Sequence, residues 1–91
     1  MMTIVKVVSV TYLGGFRLGL RFSDGACGSH DFSAMIERGG SMVVPLRDEQ
    51  LFASVVIDRG VLTWPNGFDV DSIALHERML SAGELTQAAA E

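Results

Sequence analysis

Apolar and polar residues alternate through the first part of the chain. Residues 4–12 are rich in β-branched side chains, and Val8, Val10 and Tyr12 alternate with Ser9 and Thr11. This pattern predicts a strand with one buried face. Leu13-Gly14-Gly15 supplies a turn, after which Phe16, Leu18, Leu20 and Phe22 point one way and Arg17, Gly19 and Arg21 the other. Such period-2 alternation predicts a half-buried strand of an antiparallel sheet. Ser23-Asp24-Gly25 is a second turn signal, since Asp-Gly suits positive φ. A third strand is expected over residues 26–32, weakened by Gly28 and His30.

Beyond this meander the period changes. Asp31 or Ser33 can cap a short helical turn that buries Phe32 and Ile36. Glu37-Arg38-Gly39-Gly40-Ser41 reads as a polar, mobile loop. Met42-Val43-Val44-Pro45-Leu46 is expected to be extended, because a residue before Pro avoids the helical region. Asp48 can cap a turn or two that carries Leu51 and Phe52 inward. Val55-Val56-Ile57 and Val61-Leu62-Thr63-Trp64 then form a hairpin around Asp58-Arg59-Gly60, read as a three-residue loop with a bulge.

The stretch Trp64-Pro65-Asn66-Gly67-Phe68-Asp69 must redirect the chain, since Pro presets φ and Asn and Gly tolerate turn conformations. It is expected to join a strand to a helix. Asp71 caps that helix over residues 72–81 and Gly83 closes it. At about 100° per residue, Ile73, Leu75, His76, Met79 and Leu80 share one arc, opposite Ala74, Glu77 and Arg78. The tail, residues 84–91, has too few large apolar side chains to dock firmly and is expected to extend a helix or fray. The expected fold is α+β in a single domain over residues 1–83. It comprises an antiparallel sheet of about five strands built from β-hairpins, one C-terminal helix and one or two short helical turns.

Composition narrows the class. A chain of 91 residues suits one core, and 48% hydrophobic residues can build it without disulfide or metal staples. The single Cys, Cys27, makes no intramolecular disulfide, which fits a reducing compartment. Net charge is −4 and the seven Lys and Arg are scattered, so direct nucleic-acid binding is not expected. No apolar run nears the roughly 20 residues of a membrane span, and Met1-Met2-Thr3-Ile4-Val5-Lys6 does not read as a secretion signal, so the expected location is cytoplasmic.

Residues able to carry chemistry are few. A catalytic or metal role for His30 and His76 requires convergence with a carboxylate such as Asp69 or Asp71, yet no ligand spacing is visible. Otherwise both are structural, His76 at the boundary of the helix. Cys27 beside His30 shows little of the triad logic of a nucleophile. Asp24, Asp58 and Asp71 have turn or cap roles, and the glycine pairs form no phosphate cradle. No cofactor and no metal are expected. Arg47, Trp64, Asn66 and Asp69 are a candidate interaction surface, because Trp and Arg are enriched at binding hot spots. The alternative packs Trp64 on the sheet, puts Asn66 in the turn and pairs Arg47 with Asp69 or Asp48.

Phe22-Ser23-Asp24-Gly25, Asp31-Phe32-Ser33, Pro45-Leu46-Arg47-Asp48, Leu51-Phe52 and Trp64-Pro65-Asn66-Gly67-Phe68-Asp69 occur in that order. In this the chain resembles the small bacterial domain-of-unknown-function family 2442 over roughly residues 4–80. The resemblance implies a compact α+β domain without established enzymatic activity. It also implies relatives fused to helix-turn-helix domains, or encoded beside small proteins in arrangements that suggest toxin–antitoxin pairs. Asp71-Ser72 departs from the commoner Asp-Pro helix start. The function expected is a non-catalytic protein-interaction or regulatory module, an antitoxin-like partner of a small neighbouring protein. The competing expectation is a small ligand-binding protein or enzyme with a site around His30, Asp31, Arg47 and Asp69. Homo-oligomerisation through an exposed strand edge or Met42-Val43-Val44 is a further expectation.

Overall fold

Alternation puts Leu18, Leu20 and Phe22 on one face of a sheet, and all three are buried in the computed structural model, which describes residues 4–87. Strands β1 (Val7–Gly14), β2 (Arg17–Phe22) and β3 (Ala26–Asp31) form the expected antiparallel meander. Its first turn is tighter than the glycines suggest. Gly14 pairs with Arg17, leaving Gly15 and Phe16 as the turn, at φ 60° and 62°. Paired positive φ matches the twist of the flanking strands. Phe16 is therefore a turn residue and not the first strand residue, although its ring still meets Phe52 edge-on at 5.2 Å.

Helix α1 (Ser33–Arg38) follows β3 and places Phe32 and Ile36 inside. Neither expected residue caps it. Phe32 holds the N-cap position, and Asp31 Oδ1 accepts from the Ser33 amide at 2.9 Å. The segment from Met42 to Leu46 is not extended. Gly39 and Gly40, both at positive φ, turn the chain back, and the Gly40 carbonyl accepts from the Val43 and Val44 amides at 3.0 and 2.9 Å. Val44–Arg47 then forms a 3-10 turn with Pro45 in its opening positions, where a missing N–H costs no bond. This buries Val43 and Leu46 and leaves Met42 and Val44 outside. Asp48 Oδ1 accepts from the Gln50 amide at 3.1 Å, capping helix α2 (Glu49–Ala53) as expected and delivering Phe52 to the core.

Strands β4 (Val56–Asp58) and β5 (Val61–Thr63) pair with Asp58 opposite Val61. The loop is thus the two residues Arg59 and Gly60, at φ 55° and 85°, in place of a bulged three-residue loop. Strand β6 (Asp69–Val70) adds to β5 and completes a second antiparallel sheet, ordered β4-β5-β6. The Trp-Pro-Asn-Gly corner is the tip of this hairpin, not a direct strand-to-helix joint. The Gly67 amide donates to the Trp64 carbonyl at 2.8 Å, and the Trp64 amide to the Phe68 carbonyl at 2.9 Å. Asp71 Oδ2 accepts from the Ala74 amide at 2.9 Å, capping helix α3 (Ser72–Ser81) as expected. Its buried stripe is narrow: Ser72, Leu75 and Met79 go inside, whereas Ile73 and Leu80 stay 43% and 61% exposed.

Gly83, at φ 74°, ends α3, and the chain then docks where a fraying tail was expected to begin. Strand β7 (Thr86–Gln87) pairs with β3, giving the first sheet the order β1-β2-β3-β7. Expectations for residues 88–91 fall outside the described residues. The docking accounts for Gly28. A Cβ there would collide with the Glu84 carbonyl oxygen, so glycine lets the strap of residues 84–87 cross β3 on the face shared with Ala26 and His30. The described residues thus hold seven strands in two antiparallel sheets with three α-helices, an α+β fold.

Gly28→Ala should push Glu84 off β3, costing about 1–3 kcal/mol in denaturant unfolding and raising amide exchange at Thr86. Unchanged stability and protection would contradict the crossing. Arg59→Asn should gain about 1 kcal/mol, because Asn occupies left-handed backbone more readily than Arg; a lower denaturation midpoint would refute the turn assignment.

Candidate functional site

Trp64 directly follows β5 with its indole inside, 1% exposed. Its Nε1–H donates to the Phe52 carbonyl at 2.8 Å, and its ring lies 5.6 and 5.7 Å from those of Phe52 and Phe68. A side chain so placed acts on any surface only through its neighbours. Asn66 is half-buried and works as a staple. Its Nδ2 donates to the Met42 carbonyl at 2.9 Å, and its Oδ1 accepts from the Phe68 amide at 3.2 Å.

Arg47 pairs with neither Asp48 nor Asp69. Its Nε donates to the Ile36 carbonyl at 3.2 Å and its Nη2 to the Glu37 carbonyl at 3.3 Å. These carbonyls belong to the last turn of α1, where helical partners run out and a cation is favoured. Arg47 and Asp69 are exposed. Beside them lie two apolar side chains outside the expected Arg47–Asp69 surface, Met42 and Val44, at 44% and 45% exposure. Met42 sits against Gly67, while Val44 and Arg47 both flank Gly39. The corner and the loop before α2 are therefore one continuous surface.

The histidines do not converge with each other or with Asp69 or Asp71. His30 Nδ1 lies 2.7 Å from Glu84 Oε1, with its ring edge-on to Phe32. His76 Nε2 lies 2.9 Å from Asp24 Oδ2, with its ring edge-on to Phe22. Each pair joins the α3 and strap region to the first sheet. Asp24 also accepts from the Ala26 amide at 3.0 Å, and that bond, ahead of the His76 contact, holds its carboxyl below the usual range. The bonds to Ser33 do the same for Asp31, helped by the charge of Arg17. Strand alternation places Cys27 and His30 on opposite faces, and the Cys27 sulfur lies 3.8 Å from Thr86 Oγ1. Among the described residues, no group of three or more His, Cys, Asp or Glu side chains is arranged to hold a metal ion.

A half-open groove of about 250 Å³ runs between α1, the end of β3, β6 and α3. Phe32, Met35, Val70 and Leu75 give it an apolar lining, and Arg38 and Arg78 border it. It gathers His30 and Asp31 from the expected ligand site but not Arg47 or Asp69. Arg38 and Arg78 carried no sequence signal beyond their charge, since α1 and α3 bring together residues 40 positions apart in the chain only once folded.

Residues 7–79 match the model of a family described as protein of unknown function, DUF2442. The chain belongs to the DUF2442 family. The matched span runs from the start of β1 into α3, so it contains the whole corner, the Gly39-Gly40 turn and both arginines of the groove. Glu84, the partner of His30, lies beyond it. No curated protein and no solved structure matches the chain. Among the described residues no helix is long and apolar enough to cross a membrane.

A depressed carboxyl pKa stabilises the fold above the ordinary carboxylate range, and that contribution is lost as pH falls through the folded-state value. Asp24 therefore adds to the acid limb of the stability curve. Asp24→Asn should make thermal stability fall less steeply on acidification, at the cost of lower stability near neutrality. An acid limb identical to that of the unsubstituted chain would show that the Asp24 contacts do not form in solution.

Proposed function

We propose that this domain is a non-catalytic protein-interaction module of the cytoplasm. The observation that carries the reading is the surface of Met42 and Val44. These are two exposed apolar side chains on a loop fastened by Asn66 to the β5–β6 tip and by Arg47 to the end of α1. A loop held in place before binding loses little freedom on binding, and exposed apolar side chains beside an arginine suit the centre of an interface. The polar groups with catalytic potential support the same reading, because they have structural partners. Both histidines are paired with carboxylates, and Asp31, Asp48 and Asp71 accept bonds from nearby backbone amides.

The partner we propose is a small protein encoded by an adjacent gene, with this domain as its antitoxin-like or regulatory companion. Family resemblance suggests that arrangement, and the net charge of −4 suits a basic partner. Co-expression with the products of flanking genes should yield a stable complex on pulldown. Met42→Asp or Val44→Asp should weaken that complex at least about tenfold while shifting unfolding free energy by only about 0.5 kcal/mol. Recovery of the free domain alone, without rescue of growth when the neighbour is expressed, would overturn the reading. Light scattering at several concentrations separates partner binding from self-association through the same two side chains.

A further inference from the structure

We infer that the groove between α1 and α3 is a binding site for a small carboxylate with an apolar body. The inference uses none of Met42, Val44, Asn66 or Arg47, so it stands or falls apart from the interaction surface. Three features of the groove lead to it. It is concave and lined by Phe32, Met35, Val70 and Leu75, which favours an apolar group removed from water. It is bordered by Arg38 and Arg78, brought together from α1 and α3. Among the described residues neither arginine has a carboxylate within ion-pair reach, and the ion pairs are those of His30 and His76.

Two uncommitted guanidinium groups on one small groove run against the charge of the whole chain, which is −4. The fork of a guanidinium matches the two oxygens of a carboxylate, and it does so best beside a surface from which water is partly excluded. Of the groove's other ionisable groups, His30 Nδ1 is held by Glu84, and Asp31, which stays ionised, accepts from the Ser33 amide. The two arginines thus outnumber the one carboxylate of the lining. The volume, about 250 Å³, lies below the range of drug-sized ligands and suits a short arylalkanoate.

The test titrates phenylpropionate into the intact chain and follows backbone amides by two-dimensional NMR. Saturable shifts are expected at Met35, Val70 and Leu75. Phenylpropanol, which keeps the apolar body and lacks the charge, should bind at least about tenfold more weakly. The variant carrying Arg38→Gln and Arg78→Gln should lose at least about tenfold in affinity for phenylpropionate with its amide spectrum otherwise retained. Ala74→Leu, which fills the groove and leaves both arginines, should abolish binding of the acid and the alcohol alike. Failure to saturate, shifts centred elsewhere, or equal affinity for the alcohol would overturn the proposal. So would tighter binding of phenyl phosphate than of phenylpropionate, since the site would then be one for phosphate.

Discussion

The bond from the Trp64 indole to the Phe52 carbonyl is the interaction on which the two halves of the fold depend. A buried indole N–H without an acceptor costs about 1–3 kcal/mol, so Trp64 can fill the core only if a carbonyl waits for it there. Phe52 supplies that carbonyl because Asp48 caps α2 and fixes where the helix starts. The rings then connect outward from this pair. Tyr12 and Phe16 reach Phe52 from the first sheet, Phe68 reaches Trp64 from the second, and Phe32 touches both from the entrance to α1. Edge-on and tilted aromatic pairs each add about 0.5–1.5 kcal/mol beyond the area they bury. The cluster thus joins elements that share few backbone bonds.

Where the determining physics is local, the sequence is legible. Asp48 and Asp71 lie within three residues of the amides they bind, and β1 and β2 declare themselves by period-2 alternation. An extended segment over residues 42–46 rests on Pro45 alone, and it fails because Gly39 and Gly40 turn the chain first. Pro45 then falls at a helical start, where it is equally at home. Both two-residue turns escape local pattern for one reason. Each places a non-glycine residue, Phe16 or Arg59, at positive φ, a cost that strand register imposes and no local pattern announces. The buried stripe of α3 is narrower than its apolar arc because periodicity gives direction without saying how much partner surface exists.

Candidate site residues follow the same division. His30 and His76 find carboxylates 54 and 52 residues away, separations at which no spacing rule applies. Gly28 reads as a defect in β3 and is the condition for the strap to cross it. The family match over residues 7–79 spans both the corner and the Leu46-Arg47-Asp48 segment, and in the fold these are two ends of one stapled surface.

That stapling changes what the corner residues do. Trp64, Asn66 and Arg47 are residue types that bind partners, yet their polar atoms shown in contacts reach backbone carbonyls or, for the Asn66 oxygen, a backbone amide. The bonds of Asn66 to the Met42 carbonyl and of Arg47 to the end of α1 fasten the loop that carries Met42 and Val44. The ordering cost of that loop is therefore met during folding instead of at the moment of association. Removing Asn66 or Arg47 would act on binding through loop freedom, with the contact atoms of Met42 and Val44 unchanged. On the proposed reading, Asn66 and Arg47 are positioning residues, and recognition would fall to the apolar pair they hold outward.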